Sequence, residues 1–334
     1  MSGRRPALAW PVAVLAFLHL IALGADVVAP YDPAEQTREL IWAPPTKLHL
    51  VDAAGRWHLR PFVYRWRPAD GAPGRYVEDT SRIFPLRLWS GEAGTRRLLG
   101  VEPPARLHLL GTDGLGRDQL SRLVHGARTS LFAGLGAALL AVAAGLLLGT
   151  LAGYFGGWLD DLLMRGSELA MALPALYLLL AARAFLPLEL GPAAAWGLIV
   201  VLLGLLGWPP AARLVRGVVL AARRRGYVGA ARGFGASHVY LLRRHLLPPA
   251  LAVGLTQLVL LVPQMILAEV TLSFLGLGVS EPTPSWGSML VPLTSYPVLA
   301  AHGWAFLPAL PLVLTVLSYH QLASAGRQRL RRTA

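Results

Sequence analysis

The amino-acid sequence predicts an all-α integral membrane protein with six transmembrane helices and a β-rich extracytoplasmic insertion between the first and second spans. Hydrophobic residues make up 54% of the 334 residues, and the mean hydropathy is +0.50. These residues occur in long uncharged blocks rather than in the periodic pattern of a soluble fold. Because about 20 helical residues cross the hydrocarbon core of a bilayer, each block of about 18 residues or more is a candidate span.

Six blocks of this kind occur along the chain. They comprise residues 7–25, 131–154, 169–186, 193–212, 250–268 and 304–322. The first block follows two arginines and ends in small residues before Asp26, so it resembles a cleaved signal peptide as well as an uncleaved membrane anchor. Under either interpretation the five later spans keep the same topology.

The distribution of basic residues predicts the orientation of these spans. Lys and Arg near the ends of spans resist translocation and mark cytoplasmic loops. Two arginines precede the first span, eight lie between residues 211 and 268, four follow the sixth span, and none lies between residues 269 and 303. We therefore expect both termini in the cytoplasm. The long segment 30–129 then lies outside, because long loops largely escape the charge rule.

This topology divides the chain into four parts. They are a transmembrane anchor in residues 1–29, an extracytoplasmic insertion with an interface helix in 30–129, a five-span core in 130–322 with a cytoplasmic loop at 213–249, and a basic cytoplasmic tail in 323–334.

The insertion is expected to be rich in β-structure. Two short runs at residues 47–51 and 56–60 flank the turn-forming residues 52–55, a pattern typical of a hairpin. A partly disordered loop is the alternative. Four tryptophans are expected to form a small core, namely Trp42, Trp57, Trp66 and Trp89.

Several kinds of chemistry are excluded by composition. Without cysteine the chain has no disulfide, thiol nucleophile or Cys-based metal site. Its only lysine, Lys47, lies in Pro-Thr-Lys-Leu, so a phosphate-binding loop is absent, as are a nucleophile elbow and a His-Glu-x-x-His motif. We therefore expect no catalytic residue, metal or cofactor in this chain, and the energy source must be another polypeptide.

Two charge patterns have simple interpretations. The net charge of +13 does not indicate nucleic-acid binding, because the arginines border apolar spans, where anionic lipid is the expected partner. Asp113, Arg117 and Asp118 lack the regular acidic positions and distal Glu of a calcium loop, so an amphipathic interface element is expected there.

The 213–249 loop carries the most informative pattern of the chain. Gly235 permits a sharp break, Ser237 is suited to cap the following helix, and Pro248 with Pro249 is expected to end that helix before span five. Two short helices joined by a bend would form a rigid knob on the cytoplasmic surface. The predicted site residues are Gly229, Ala230, Ala231, Gly235, Ala236, Ser237, Leu247 and Pro248.

This spacing resembles the loop signature of bacterial ATP-binding-cassette import permeases, which begins Glu-Ala-Ala and ends Leu-Pro. There are two departures, because Gly229 stands where the signature has Glu and His245 where it has an apolar residue. The missing carboxylate puts a salt bridge from that position in doubt, and glycine weakens the first helix by about 1 kcal/mol relative to alanine. The alternative is an ordinary basic loop that binds anionic lipid.

Further stretches resemble the dipeptide, oligopeptide and nickel branch of these permeases. The resemblance covers residues 110–322, while residues 30–109 carry no such signature. The stretches lie at residues 110–118 with 121–130, at 153–160, and at 268–278 with 282–287.

The resemblance implies a type I importer permease of the bacterial inner membrane. Such a subunit pairs with a second, related permease as a heterodimer, docks two ATPase subunits that hold ATP and Mg²⁺, and receives peptides, nickel or other small solutes from an extracytoplasmic binding protein. The alternative is a stand-alone secondary transporter or channel. A secondary transporter should show an inverted repeat and several ionisable residues at mid-bilayer, whereas charges within these spans are rare.

Two features of the spans complete the set of candidate residues. Gly145, Gly149 and Gly153 form a stripe on one face of span two that allows close helix approach, either within the chain or between subunits. Glu269 lies at the outer end of span five and is a candidate for the translocation path, because ionisable groups at membrane depth are usually functional. Alternatively, it reaches water or caps a short helix.

Overall fold

The computed structural model describes residues 8–69, 74–90, 97–184 and 191–333. Within these ranges the protein is mostly helical, with twelve α-helices and five β-strands. The chain forms two compact units. One is built from Phe132–Glu269 and the described parts of Met1–Val12 and Thr315–Ala334, and the other from Ala13–Leu131 and Val270–Leu314.

Four helical stretches in the described ranges are long and apolar enough to cross a membrane. Each contains one of the predicted spans, namely the second, fourth, fifth and sixth. The stretches are Gln119–Phe155, Pro192–Arg223, His238–Phe274 and Gly303–Ala325. The protein therefore has the helical content and length of a multi-pass membrane protein.

Helix α3, Gln119–Phe155, begins well before the predicted start of span two at residue 131. Asp118 precedes the first helical turn, and its Oδ2 accepts hydrogen bonds from the backbone N–H and the hydroxyl of Ser121, both at 2.7 Å. An Asp in this position satisfies backbone donors that have no partner in the first turn. The last charged residue before span two determines where the apolar block begins. The helix begins earlier, at the residue that Asp118 caps.

The first and third predicted spans are not long continuous helices. Helix α1, Ala9–Leu23, has 15 residues and is followed by the short α2, Ala25–Val28. The third predicted span is divided between α4, Gly157–Ala172, and α5, Ala175–Ala184. Pro174 explains the division, because a residue before proline is driven out of the helical region, and Leu173 has φ −89° and ψ 137°. The predicted end at residue 186 lies outside the described residues.

The remaining helices follow in order. Helix α6 contains Pro209 and Pro210, and α9 contains Pro263. Their bounds are Pro192–Arg223 for α6, Gly226–Gly233 for α7, His238–Leu241 for α8, Leu247–Phe274 for α9, Trp286–Leu290 for α10, Tyr296–Ala301 for α11 and Ala309–Thr333 for α12.

Two antiparallel sheets lie between α2 and α3. The first has the order β1-β2-β3, and the second pairs β4 with β5. The expected hairpin is present, with Val51 opposite Trp57 and the Asp52 carboxylate accepting N–H bonds from Ala54 and Arg56 at 2.9 Å. The strands are β1, His49–Val51; β2, Trp57–Pro68; β3, Tyr76–Pro85; β4, Arg87–Ser90; and β5, Arg97–Gly100.

The expected tryptophan core is wrong in detail. Trp66 is buried against Leu40 and Ala43, but Trp57 and Trp89 are exposed. A larger cluster forms without tryptophan, from one residue of β2, one of β3 and two that follow β5. Its buried members are Val63, Phe84, Ala105 and Leu107.

The glycine stripe of α3 packs against α6 of the same chain. A Cβ added to Gly145 would lie 2.6 Å from Cβ of Ala211, and one added to Gly149 would lie 2.4 Å from the carbonyl oxygen of Ala212. At Gly153 it would lie 3.0 Å from the carbonyl oxygen of Arg216. The two helix backbones are therefore close enough that no side chain fits between them, and the stripe serves packing within the chain.

Replacement of Gly149 by alanine tests this close approach. We expect Gly149→Ala to lower the free energy of unfolding by about 1–3 kcal/mol, because the added methyl group overpacks a backbone contact. Gly217→Ala is the matched control, since a Cβ there meets nothing within 4 Å and glycine is replaced by a better helix former. Thermal unfolding of the purified chains in detergent measures both. Equal midpoints for Gly149→Ala and wild type would contradict the contact.

Candidate functional site

Two short helices follow α6 and form the structure that the 213–249 loop predicts. Helix α6 ends at Arg223, α7 covers Gly226–Gly233, and α8 begins at His238. A π-helical turn, Leu242–Leu246, connects α8 to α9. We call the segment from Gly226 to Leu246 the knob.

The bend of the knob depends on Gly235. Its φ is +82°, a left-handed conformation that glycine adopts without steric cost. Backbone bonds of 3.0 Å close α7, from Gly235 N to Arg232 O and from Ala236 N to Ala231 O. The Ser237 hydroxyl then accepts a hydrogen bond from the N–H of Tyr240 at 3.3 Å and caps α8.

The expectation that Pro248 and Pro249 end the preceding helix is wrong. Both prolines lie in the first turn of α9, and the helical path is continuous from His238 to Phe274. Proline lacks an N–H donor, and its ring collides with the carbonyl four residues earlier. The wider π turn removes this conflict, because Leu247 N donates to Leu242 O, five residues back.

Most predicted site residues face solvent in the isolated chain. A Cβ added to Gly229 would meet nothing within 4 Å, so the missing glutamate leaves open space rather than a filled contact. Phe234, at the tip of the bend, is 93% exposed. Gly229, Ala230, Gly235, Ser237 and Pro248 are exposed, whereas Ala231, Ala236 and Leu247 are half-buried.

The outer surface of the knob is basic. Arg232, Arg243 and Arg244 are exposed, and the sequence contains no acidic residue between residues 211 and 268. The inner side is apolar, since Leu241 and Leu246 are buried. The knob therefore has an exposed surface with arginines and aromatic rings, of which Phe234 protrudes furthest into solvent, and it rests on an apolar base.

His245 has a structural role at the position where the signature has an apolar residue. Its ring lies 5.4 Å from that of Tyr227 and 5.6 Å from that of Tyr240, measured between centroids. These contacts join α7, α8 and the π turn through aromatic packing. His245 therefore contributes to packing within the knob although it departs from the signature.

Sequence reasoning missed the residue that joins the knob to α3. The hydroxyl of Tyr154, near the end of α3, forms a short hydrogen bond with Nδ1 of His238, and Arg223 Nη1 donates to the carbonyl oxygen of Tyr154 at 2.8 Å. The stretch 153–160 was recognised as a motif, but a motif does not identify a partner 84 residues away along the chain. Nearby, Arg216 and Asp160 form a two-bond ion pair at 2.5 Å.

Glu269 does not reach water at the end of a helix. It lies inside α9, which continues to Phe274, and its side chain is fully buried. This excludes one of the alternatives for the residue, while a role in the translocation path stays a prediction.

An apolar groove of about 440 Å³ lies in the same unit as the knob. It is bordered by α4, α5, α6 and α9, and Gln264 supplies an exposed amide in an otherwise apolar lining. Other lining residues are Met171, Leu179, Leu206 and Met265. A polar group in such a lining suits a passage for a polar solute better than a contact with lipid.

The second unit joins two other recognised stretches through an arginine cluster. Arg117 Nε donates to Asp113 at 2.7 Å and its Nη1 donates to Glu281 at 2.6 Å, while Arg122 Nη2 donates to Glu281 at 2.8 Å. Residues 113–118 form a compact loop in which Asp113 Oδ1 also accepts N–H bonds from Leu115 and Arg117, and their role as an interface element stays a prediction. Within the part of the chain that the structure describes, no three His, Asp or Glu residues are placed to hold a metal.

The charge state of Glu281 follows from this cluster. Burial opposes ionisation of the carboxyl, but the hydrogen bond and charge of Arg122, and then those of Arg117, hold the pKa of Glu281 below its usual value. The ionised form is therefore favoured by folding. Because Arg117 and Arg122 are themselves buried, Glu281 also neutralises charges that would otherwise be costly.

Comparison with known proteins identifies the class. Residues 145–332 match the family model of the binding-protein-dependent transport system inner membrane component. The chain is 40% identical over 224 residues to the dipeptide transport system permease protein DppC of Bacillus subtilis (strain 168), covering 66% of this chain and 67% of that protein.

Two other relatives extend this similarity. The di/tripeptide transport system permease protein DppC of Pseudomonas aeruginosa (strain UCBPP-PA14) is 34% identical over 321 residues, which cover 95% of this chain and 86% of that protein. The oligopeptide transport system permease protein OppC of Bacillus subtilis (strain 168) is 35% identical over 250 residues, with 74% and 79% covered. Among solved structures, an amino acid ABC transporter matches 63% of this chain and 94% of its own at 18% identity and a TM-score of 0.44.

The chain belongs to the family of inner-membrane components of binding-protein-dependent transport systems. It is therefore a permease subunit of an ABC importer, a transporter component and not itself an enzyme, as the resemblance in its loop and flanking stretches predicted. Its four apolar helical stretches agree with a multi-pass inner-membrane protein.

Substitution of Glu281 by glutamine tests the arginine cluster. We expect Glu281→Gln to lower the free energy of unfolding by about 1 kcal/mol at neutral pH, a modest value because solvent screens the half-exposed carboxylate. The folded-state pKa is lowered, so the stabilisation is present above the unfolded-state pKa and is lost as pH falls through the folded-state pKa. Unfolding midpoints in detergent over a pH series measure the difference.

Glu102→Gln provides the matched control for this series. Glu102 pairs with Arg87 at a site where both side chains are substantially exposed. We expect this variant to differ little from wild type at any pH. Identical pH profiles for Glu281→Gln and Glu102→Gln would contradict the proposed importance of the buried arginines.

Proposed function

We propose that this chain forms one half of the translocation path of an ATP-driven peptide importer and is coupled to ATP hydrolysis through the knob. The observation that carries the proposal is an exposed helix–bend–helix, with a protruding aromatic ring and a basic surface, in a member of this permease family. Family membership also favours an importer subunit over a stand-alone transporter or channel.

The partners follow from this role. A binding-protein-dependent system includes an extracytoplasmic binding protein and ATPase subunits. We propose in addition a heterodimer with a second, related permease, two ATPases that hold ATP and Mg²⁺, and membrane lipid around the spans. Closure of the ATPases would push on residues 227–237 and bias the permease between inward- and outward-facing states.

The proposed topology has six spans with both termini in the cytoplasm. The short loops support it, because eight arginines lie between residues 211 and 268 and four follow the sixth span, whereas none lies between residues 269 and 303. In this topology α1 is the first span, and α4 with α5 supplies the third. The strand-rich region between α2 and α3 would then lie outside the cytoplasm, and the parts 1–29, 30–129, 130–322 and 323–334 keep the roles assigned from the sequence.

The substrate class rests on relatives whose names specify dipeptides, di/tripeptides and oligopeptides. We propose that peptides pass along the apolar groove beside Gln264, whose amide can exchange hydrogen bonds with a peptide backbone. A mainly apolar lining with few polar groups suits a route for peptides of varied sequence. Selection among peptides then falls mainly to the binding protein. Glu269 is fully buried and directly follows Ala268, which lines the groove, and we propose that it contributes to the path.

The docking chemistry of the knob is also specified by its surface. Phe234 is the proposed aromatic anchor, and Arg232, Arg243 and Arg244 are exposed on the same knob. Aromatic residues that fill a pocket dominate many interfaces, and charges around them favour a partner of opposite sign. The ATPase surface that fits is therefore an apolar pocket with an acidic rim.

Phe234→Asp is the direct test of docking. We expect the variant to insert normally into the membrane, because the ring is almost fully exposed and stabilises nothing in this chain. We expect recovery of the ATPase with the tagged permease to fall at least about tenfold, because a carboxylate replaces the anchor and faces an acidic rim. Affinity purification from native membranes followed by quantitative mass spectrometry measures the loss.

Leu59→Asp is the matched control for this experiment. Leu59 is also fully exposed, but it lies on β2, far along the chain from the knob. We expect it to leave ATPase recovery unchanged. Recovery of the wild-type chain without any P-loop ATPase, or equal recovery with Phe234→Asp and wild type, would overturn the proposed function.

A further inference from the structure

We infer that Tyr154 is the positioning residue that passes displacement of the knob to helices α3 and α6. This inference rests on the proposed function, since it concerns the same coupling step. It assigns a role to a residue outside the recognised loop signature. The basis is a set of contacts within a single compact unit of the structure.

Three contacts hold Tyr154 between the knob and α6. Its hydroxyl bonds to Nδ1 of His238, the first residue of α8. The two rings also meet edge to face, with centroids 5.7 Å apart and an interplanar angle of 82°. The guanidinium of Arg223, at the end of α6, donates to the carbonyl oxygen of Tyr154 at 2.8 Å. One residue therefore contacts α6 and the knob at the same time.

The surroundings of Tyr154 make this link rigid. Tyr154 is 3% exposed and packs in a cluster with residues of α6, with the base of the knob and with the first turn of α9. Just before it in α3, the glycine stripe brings the backbones of α3 and α6 together. Buried members of the cluster are Val215, Val219, Ala222, Leu246 and Ala250. Packed interiors have low compressibility and transmit displacement.

The other exit from the knob has a different structure. Between α8 and α9 the chain passes through the π turn, directly before Pro248 and Pro249. A π turn and prolines interrupt the regular ladder of helix hydrogen bonds, which makes this junction the easier place to bend. A push on the knob is therefore carried to α3 and α6 through Tyr154, while the junction with α9 absorbs the change of angle.

The test needs a readout that does not depend on knowing the transported peptide. Gln264 is exposed in the groove, and the chain has no cysteine of its own. In the full complex carrying Gln264→Cys, labelling of this subunit with a membrane-impermeant maleimide reports access to the groove. The ratio of labelling rates with and without ATP measures how strongly ATP hydrolysis is coupled to the permease.

Tyr154→Phe removes the hydroxyl and keeps the ring. We expect the ATP-dependent change in labelling to fall about fivefold, the value that corresponds to a typical hydrogen bond. We expect the ATPase to remain bound and ATP hydrolysis to persist, because the knob surface is unchanged. A merely structural role would instead reduce assembly and hydrolysis together.

Variants of the partner residue sharpen the test. His238→Asn keeps a polar group near the position of Nδ1 and is expected to retain coupling, whereas His238→Leu is expected to lose it. The double variant Tyr154→Phe with His238→Leu should lose no more coupling than either single variant, because each substitution removes the same hydrogen bond. Tyr296→Phe is the matched control, since it makes the same chemical change at an exposed ring outside the knob.

The outcomes separate failure of this inference from failure of the proposed function. Loss of coupling by Phe234→Asp together with full coupling in Tyr154→Phe would overturn the role of Tyr154 alone. Absence of any ATP effect on labelling in the Gln264→Cys reference complex would overturn the proposed function and this inference with it. Equal losses for Tyr296→Phe and Tyr154→Phe would also overturn the inference.

Discussion

Close contact between the backbones of α3 and α6 is the constraint on which the knob-bearing unit depends. At Gly149 there is no space for even one methyl group before the carbonyl oxygen of Ala212. In a membrane, helices gain little from burying apolar side chains, so backbone approach and van der Waals contact must supply much of their association. This contact sets the position of Tyr154 and of Arg223, and these two residues then fix the base of the knob.

Proline is the second constraint, and the chain meets it in different ways. Pro174 lies where α4 gives way to α5, and Leu173 takes the extended conformation that a following proline favours. Pro248 and Pro249 begin α9 without a break because the π turn precedes them. In lipid every unpaired backbone group is costly, so each proline in a spanning region needs such a local solution. The positions of the prolines therefore account for the interruptions in these helices.

The sequence predicted the features that arise from local chemistry. Of the six charge-free blocks, four correspond to helices long enough to span a membrane. Gly235 and Ser237 indicated the bend and the cap of the knob, and the glycine stripe indicated close packing. Features that need two distant residues were not predictable. Tyr154 and His238 are separated by 84 residues, and nothing in either stretch identifies the other. The tryptophan core failed for the same reason, because aromatic content does not reveal which face of a strand is covered.

The contact of the glycine stripe with α6 has a mechanical consequence. On the α3 side it consists of glycines, which have no rotatable side chain to deform under load. An interface of long side chains deforms easily, because the side chains can change rotamer before the helices themselves move. Direct contact between two helix backbones deforms less, so α3 and α6 are expected to move together as one rigid body. A force applied at the knob then displaces both helices and does not rearrange the contact between them.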